Sequence, residues 1–322
     1  MAVTGPIFIA TRGSALALAQ ANLIAAQCRA AFPQLQFELK IIKTTGDKLQ
    51  TASLTQAGRS LPKGLFTKEL EVALLAGHAD LAVHSLKDLP TDLPAGLKLA
   101  ATPSRADVRD VLVYRPTGSD HRGFLPQTQL KDFPGGVTIA TSSTRRKMQL
   151  LAARPDLNIV EIRGNVSTRL QKVARNGELD ATVLALAGLT RLNFHIQPAG
   201  KLVGDAVPEG LLATTLGLGE MLPCVGQGAI GIEIRENDDR IEKICRQLNH
   251  ADTFHAVTAE RAFLQAMGGG CLSPVAAYAE IRGDTISLRA VSFRDGAEKR
   301  GEGERPVVQA AALGVELAEK LK

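Results

Sequence analysis

One local pattern occurs twice in this chain, and it limits the possible folds more than any other feature. Pro6 to Ala10 reads as a short apolar strand, followed by Thr11-Arg12-Gly13-Ser14 and a helix from Ala15 to Ala31 that Pro33 stops; Phe37 to Ile42 is a second strand. From residue 137 the same order returns. Val137 to Ala140 is a strand, Thr141-Ser142-Ser143-Thr144-Arg145-Arg146 a polar turn, and a helix to Ala153 ends before Pro155 and a strand from Asn158 to Ile162. The continuations match as well: a helical run (Phe66 to Ala76, Val166 to Asn176), a glycine (Gly77, Gly177), then a strand (Asp80 to His84, Asp180 to Leu184). A glycine just past a helix end accepts the left-handed conformation that closes it. The chain is therefore expected to be α/β, with two similar βαβαβ halves, each a mostly parallel sheet flanked by helices. Such sheets take ligands in the crevice at the carboxyl ends of their strands.

At 322 residues the chain is too long for one core. Thr102 to Arg109, polar and carrying Pro103, is the expected crossing between halves; Leu222 to Gly226 is the return, after which the strand Ile230 to Ile234 rejoins the first sheet. From about 251 a third piece follows: helix 252–267, strands near 275–281 and 284–293, and a closing helix near 307–321, a small α+β domain. The boundaries read as 1–103 with 229–246, 109–222, and 251–322. Residues 44–64 show no periodicity, and a loop of that length is functional or disordered.

Arginines gather at the strand ends: Arg12, Arg145, Arg146, Arg163, Arg169 and Arg191. A solvated surface would scatter them along helix faces. Ser14 and Ser143 stand at helix N-termini, where free N–H groups and the helix dipole also favour anions. Arginine forks bind carboxylates in pairs, so the ligand should carry several carboxylates or phosphates. Asp88, in His84-Ser85-Leu86-Lys87-Asp88-Leu89-Pro90, is the one acid among them. It can hold N–H donors and stabilise a developing cation, or serve as an ordinary turn residue before proline. Cys271 ends the run Met267-Gly268-Gly269-Gly270, a loop that places a thiol for covalent chemistry or simply packs a small residue in a turn.

The other patterns mostly exclude. The four cysteines show no Cys-x-x-Cys spacing, so neither a zinc ribbon nor a redox dithiol is signalled, and free thiols fit a reducing compartment. No metal-ligand spacing is found. Gly226-Gln227-Gly228-Ala229-Ile230-Gly231 has the letters of a dinucleotide fingerprint but precedes a strand, so its context fails. His250 and His255 are spaced for no shared helical face. Tryptophan is absent and aromatics are 4%, against a base-stacking platform; the net charge of +5 suits a small anion as well as a polymer. No signal peptide and no membrane-length apolar run is read.

With these residues in view, the chain resembles the porphobilinogen deaminase (hydroxymethylbilane synthase) family nearly end to end. The resemblance rests on Ala-Thr-Arg-Gly-Ser at 10–14, Lys-Gly-Leu-Phe-Thr-Lys-Glu-Leu-Glu at 63–71 and Ala-Val-His-Ser-Leu-Lys-Asp-Leu-Pro at 82–90. Thr-Ser-Ser-Thr-Arg-Arg at 141–146, Arg-Gly-Asn-Val-Ser-Thr-Arg at 163–169, Val-Gly-Gln-Gly-Ala at 225–229 and Gly-Gly-Cys at 269–271 complete it. The family implies two lobes like type II periplasmic binding proteins and a small third domain whose cysteine, here Cys271, holds a dipyrromethane cofactor as a thioether. It implies a transferase that joins four porphobilinogen molecules head to tail, loses ammonia each time, and releases hydroxymethylbilane by hydrolysis. By resemblance Asp88 is catalytic, accepting pyrrole N–H bonds, stabilising the cation left by ammonia and helping to move protons during coupling. Lys87, Thr141, Ser143, Arg145, Arg146, Arg163, Arg169 and Arg191 fall to the cofactor, and Arg12, Ser14, Gln227, Lys63 and Arg59 to the substrate. The family further implies a monomer in the cytoplasm, or in an organelle stroma after removal of a transit segment, with no nucleic-acid or membrane partner.

Two departures stand out. The loop before Lys63 carries Pro62 where glycine is usual, which should stiffen it, and Cys224 replaces a usual alanine, read as packing. Among rival readings, a solute-binding protein would share the two lobes but have no use for the third domain. A nucleic-acid-binding protein would carry its arginines on an outer face and lose affinity steeply with salt.

Overall fold

The computed structural model describes residues 5–46, 64–117, 123–270 and 273–322. The apolar run β1 (Ile7–Arg12) leads into α1 (Ala15–Ala31), whose first turn is closed by Ser14 Oγ accepting the Ala17 N–H at 3.3 Å. Next come β2 (Phe37–Ile42), α2 (Lys68–Leu75), β3 (Leu81–Ser85) and β4 (Leu97–Ala101). The second half runs β5 (Asp110–Tyr114), β6 (Thr138–Ala140), α3 (Thr144–Ala153), β7 (Asn158–Val160), α4 (Val166–Arg175), β8 (Ala181–Ala185) and α5 (Leu186–Arg191). A small hairpin, β9 (His195–Ile196) and β10 (Leu202–Val203), and β11 (Leu212–Thr215) complete it. After β12 (Ile230–Arg235) and α6 (Asp239–Leu248) come α7 (Ala251–Ala266), β13 (Val275–Arg282), β14 (Thr285–Ser292), β15 (Lys299–Pro306) and α8 (Ala310–Leu321).

The repeat in sequence is a repeat in space. One sheet has the order β2-β1-β3-β12-β4 and the other β7-β6-β8-β5-β11. In both, the first three strands are parallel and the fourth is antiparallel to its two neighbours, so all strands but one share a direction. The odd strand is in each case the first strand after a crossing: β5 follows 102–109, and β12 follows the return and rejoins the first sheet. Each lobe is thus completed by chain arriving from the other. The architecture is mixed α/β, two sheet-and-helix lobes with a small C-terminal α+β domain.

The crossings lie side by side. The Ala106 N–H donates to Gly228 O at 3.1 Å, and Arg105 Nε donates to Gln227 O at 2.9 Å. Glycine is needed here: Gly228 sits at φ +82, and a Cβ on it would fall 2.5 Å from Ala106 O. Gly228→Ala is therefore expected to cost about 1–3 kcal/mol, from the strained backbone and the displaced strand. Its midpoint in urea measures this, and an unshifted midpoint would mean that the hinge relaxes freely.

Three details differ from the sequence reading. Gly177 does not cap α4 in the left-handed conformation; α4 ends at Asn176 with φ −93, while Gly77 does cap α2 at φ +69. The third domain has a strand beyond the two expected, β15, whose Lys-Arg-Gly-Glu-Gly-Glu-Arg-Pro carries no apolar alternation. It pairs with β14 and presents Gly301 and Gly303 to Leu313, Leu317 and Leu321 of α8, which supply the apolar face that the strand lacks. The closing helix also starts later than read, at Ala310, after a 3-10 turn over Val307–Gln309.

Candidate active site

Strand β3 delivers the acid. It runs into a 3-10 turn, Leu86–Asp88, pinned by burial of Leu86 and Leu89 against Ala229 and against Val257 of α7. The return crossing packs onto the turn: Gly226, at φ +71, leaves room where a Cβ would meet Leu86 Cγ at 3.1 Å and Lys87 N at 3.2 Å. The Asp88 side is exposed and lines a cavity together with Arg12, Ser14, Phe66, His84 and Ser85. The Arg12 guanidinium lies over the Phe66 ring, 4.2 Å from its centroid. The carboxylate, the first-strand arginine and the first helix cap thus meet in one place.

The second cluster belongs to α3. Ser143 Oγ caps it, accepting the Arg146 N–H at 3.4 Å, and Thr141 Oγ1 accepts the Ser143 N–H at 3.2 Å. Arg145 and Arg146 point inward and are almost wholly buried, and both bond Asp110, a residue that the sequence reading did not single out. Arg145 Nη2 donates to Asp110 Oδ2 at 2.8 Å, Arg146 Nη2 to Oδ1 at 2.7 Å, and Gln227 Nε2 to Oδ1 at 3.0 Å. The remaining Nη1 groups donate to Leu222 O and Val183 O. Asp110 is fully buried; burial alone would raise its pKa, but the two guanidiniums hold it well below the usual carboxylate range. Its contribution to stability is therefore present above the unfolded-state value of about 4 and is lost only as pH falls through the lower folded-state value. Its position as first residue of an otherwise apolar strand was the only available signal.

Lys87 joins the clusters. Burial lowers its pKa, opposed by Asp88, while Arg146 and Asp110 also act on it. Cys224 lies in reach of Arg145, Lys87, Asp88 and Arg146, with its thiol pushed up by burial. Arg169 donates Nε to Gly164 O at 2.9 Å and is brought down to about 10, by burial first and Arg146 second. Arg191 is tied to the stretch that leads into β12, donating Nη2 to Gly228 O at 2.6 Å, and burial lowers it to about 10. Arg163 is not drawn in: it is exposed and 3.5 Å from Glu161 of its own segment. Cys271, Lys63 and Arg59 lie outside the described residues.

The third domain is fastened to both clusters through α7. Glu260, fully buried, accepts from Arg105 Nη1 (2.7 Å) and Nη2 (2.9 Å), from the Gly226 N–H (2.8 Å) and from the Ala279 N–H (3.0 Å). One carboxylate therefore holds both crossings and β13. Its neighbour Arg261 donates to Leu89 O at 3.1 Å and Pro90 O at 2.7 Å, just past the Asp88 turn. Cys28 and Cys245 are core residues of the first lobe, pushed up to about 11 and about 12 chiefly by burial. His250 caps α7, accepting the Thr253 N–H.

Arg145 Nε and Arg146 Nε are buried donors without a hydrogen-bond partner among the described residues, and Gln227 Oε1 is a buried acceptor in the same condition. Buried polar groups are rarely left so. A pyrrole bearing carboxylate arms offers both complements, acceptors for guanidinium N–H groups and an N–H for an amide oxygen. The residue chemistry around Asp110 therefore fits a dipyrromethane.

A family model described as porphobilinogen deaminase, dipyromethane cofactor binding domain, matches residues 7–243, and one for the porphobilinogen deaminase C-terminal domain matches 254–322. The chain is 42% identical to the porphobilinogen deaminase of Thermus thermophilus and 44% identical to that of Syntrophus aciditrophicus, in each case over 97% of this chain and 94% of the relative. Among solved structures, the BenM effector-binding domain with benzoate is similar at a TM-score of 0.41 and 18% identity, over 76% of this chain and 92% of that one. With both of its parts matched and that identity sustained almost end to end, the chain belongs to the porphobilinogen deaminase family.

Proposed function

We propose that the chain couples four porphobilinogen molecules head to tail with loss of ammonia, on a covalently held dipyrromethane, and releases hydroxymethylbilane by hydrolysis. The observation that carries this reading is the pairing of an exposed carboxylate, Asp88, with a buried arginine node that still has unpaired donors. When bound, the dipyrromethane supplies the free pyrrole carbon to which the first unit is joined. Arg145, Arg146 and Lys87, with Thr141, Ser143 and Arg169, hold its carboxylates, and Cys271 holds it covalently. Arg12 and Ser14 take the carboxylates of the incoming porphobilinogen, with Arg191 and Gln227 at the hinge between lobes. Lys63 and Arg59, in the stretch before α2, add charge.

Asp88 faces the positive charge that develops as the carbon–nitrogen bond opens. A carboxylate held on a pinned turn stabilises that charge without reorganising, which is usually the largest kind of catalytic term. The lobes comprise 1–103 with 229–246, and 109–222; the cysteine domain is 251–322. The enzyme works as a monomer in the cytoplasm, without nucleic acid. Among the described residues no helix is long and apolar enough to cross a membrane.

Intact mass tests the reading. Denatured protein should carry the mass of two linked pyrrole units, and Cys271→Ser should fold yet lack it. Porphobilinogen should then add mass stepwise to the wild type. A full complement on Cys271→Ser would move the attachment elsewhere; a wild type that gains nothing would favour a solute-binding role.

A further inference from the structure

Behind the Asp88 cavity lies a group of buried ionisable side chains with no part in the scheme above. His84 of β3 lines that cavity and is 5% exposed. Its Nε2 is 3.0 Å from Oε2 of Glu233 on β12, itself fully buried. The two meet because β12 is antiparallel to β3, with Gly231 opposite His84, so Glu233 reaches it on the diagonal. Glu71 of α2 is also buried and is electrostatically coupled to both, with Glu69 on the same helix. Arg12 and Asp88 stand across the cavity, and Arg261 of α7 acts on Glu233. A histidine and two glutamates are costly to bury unless fully paired and hydrogen-bonded, and Glu71 Oε1 and Glu233 Oε1 have no hydrogen-bond partner among the described residues.

We infer that His84, held by Glu233, is the base that takes the proton released at each coupling. This rests on the porphobilinogen reading. In each addition the incoming unit reacts as its ammonium form: its carbon–nitrogen bond breaks and the electron pair leaves on ammonia. A carbon–carbon bond forms to the acceptor pyrrole, and the carbon–hydrogen bond at that carbon breaks, its pair restoring the aromatic ring. The proton needs an acceptor. Asp88 would lose its charge by taking it, just before the next cation forms. An imidazole exchanges protons near neutrality more readily than any other side chain. With Nε2 engaged by Glu233, Nδ1 is the exchanging nitrogen, and the proton then passes to solvent through the cavity. The carboxylate fixes the orientation of the ring. Burial raises the pKa of Glu71.

Loaded holoenzyme of His84→Asn should turn over about 10²–10³-fold more slowly, with KM within twofold. The acid-side limb of its kcat–pH profile should disappear, and the isotope effect with porphobilinogen deuterated at the free pyrrole carbon should rise. A wild-type rate, or a slower rate with the acid limb and isotope effect unchanged, would overturn the inference and leave His84 a packing residue. If His84→Asn does not fold or load, Glu233→Gln decides: removing the carboxylate that orients the ring should lower kcat with KM within twofold and raise the same isotope effect, and an unchanged rate and isotope effect would overturn the inference. A wild type that gains no mass from porphobilinogen would instead remove the reaction itself, and this step with it.

Discussion

Asp88→Asn is expected to leave a folded, cofactor-loaded protein that turns over about 10³-fold more slowly. The change is nearly isosteric, and the side chain it alters is exposed in the cavity. The turn is held by Leu86 and Leu89 in a small core with Ala229 and Val257, and by Arg261 on the Leu89 and Pro90 carbonyls, none of which involves the carboxylate. The loss should fall on kcat, because the charge matters most when the substrate becomes cationic. Melting temperature, cofactor mass and single-turnover rate, measured on one preparation, separate the possibilities. Normal turnover would take Asp88 out of the mechanism; a lowered melting point with no cofactor would make it a structural residue.

Glu260→Leu should destabilise the protein by about 3–5 kcal/mol, because it leaves the Arg105 guanidinium buried without its partner. The Gly226 and Ala279 N–H groups lose their acceptor in the same stroke. At roughly 2–4 °C per kcal/mol, the thermal midpoint should fall by about 6–20 °C. Adding Arg105→Met should restore part of the loss, since removing both charges is far less costly than orphaning one. If the double variant melts no higher than the single one, the damage lies in the backbone donors and not in the ion pair.

Much of this arrangement is legible in the sequence because short-range rules govern it. Strand, polar turn and capped helix follow one another at fixed spacing, so Ser14 and Ser143 are found at the helix starts where the letters put them. What escapes is set by long-range partners. Arg145 and Arg146 look alike to Arg163 in the sequence, yet the first two close on Asp110 and the third stays in solvent. Nothing near Arg145 names an aspartate 35 residues earlier as its partner. Gly177 matches Gly77 by position but not by conformation, and β15 is a strand because α8 covers its glycines. Glu260 is unremarkable in a helical run, and only the meeting of the two crossings and β13 gives it four hydrogen bonds.

The late return of β12 to the first sheet also fixes an order of assembly. The second sheet draws only on 110–215, a continuous stretch. The first sheet has β12 between β3 and β4, so β4 cannot take its place until Ile230–Arg235 has been made. On the ribosome, which releases chain from its N-terminus, the lobe that begins first must finish second. Its half-built sheet waits with the edge of β3 open while the later lobe forms, and the strand that closes it also carries Glu233 to His84.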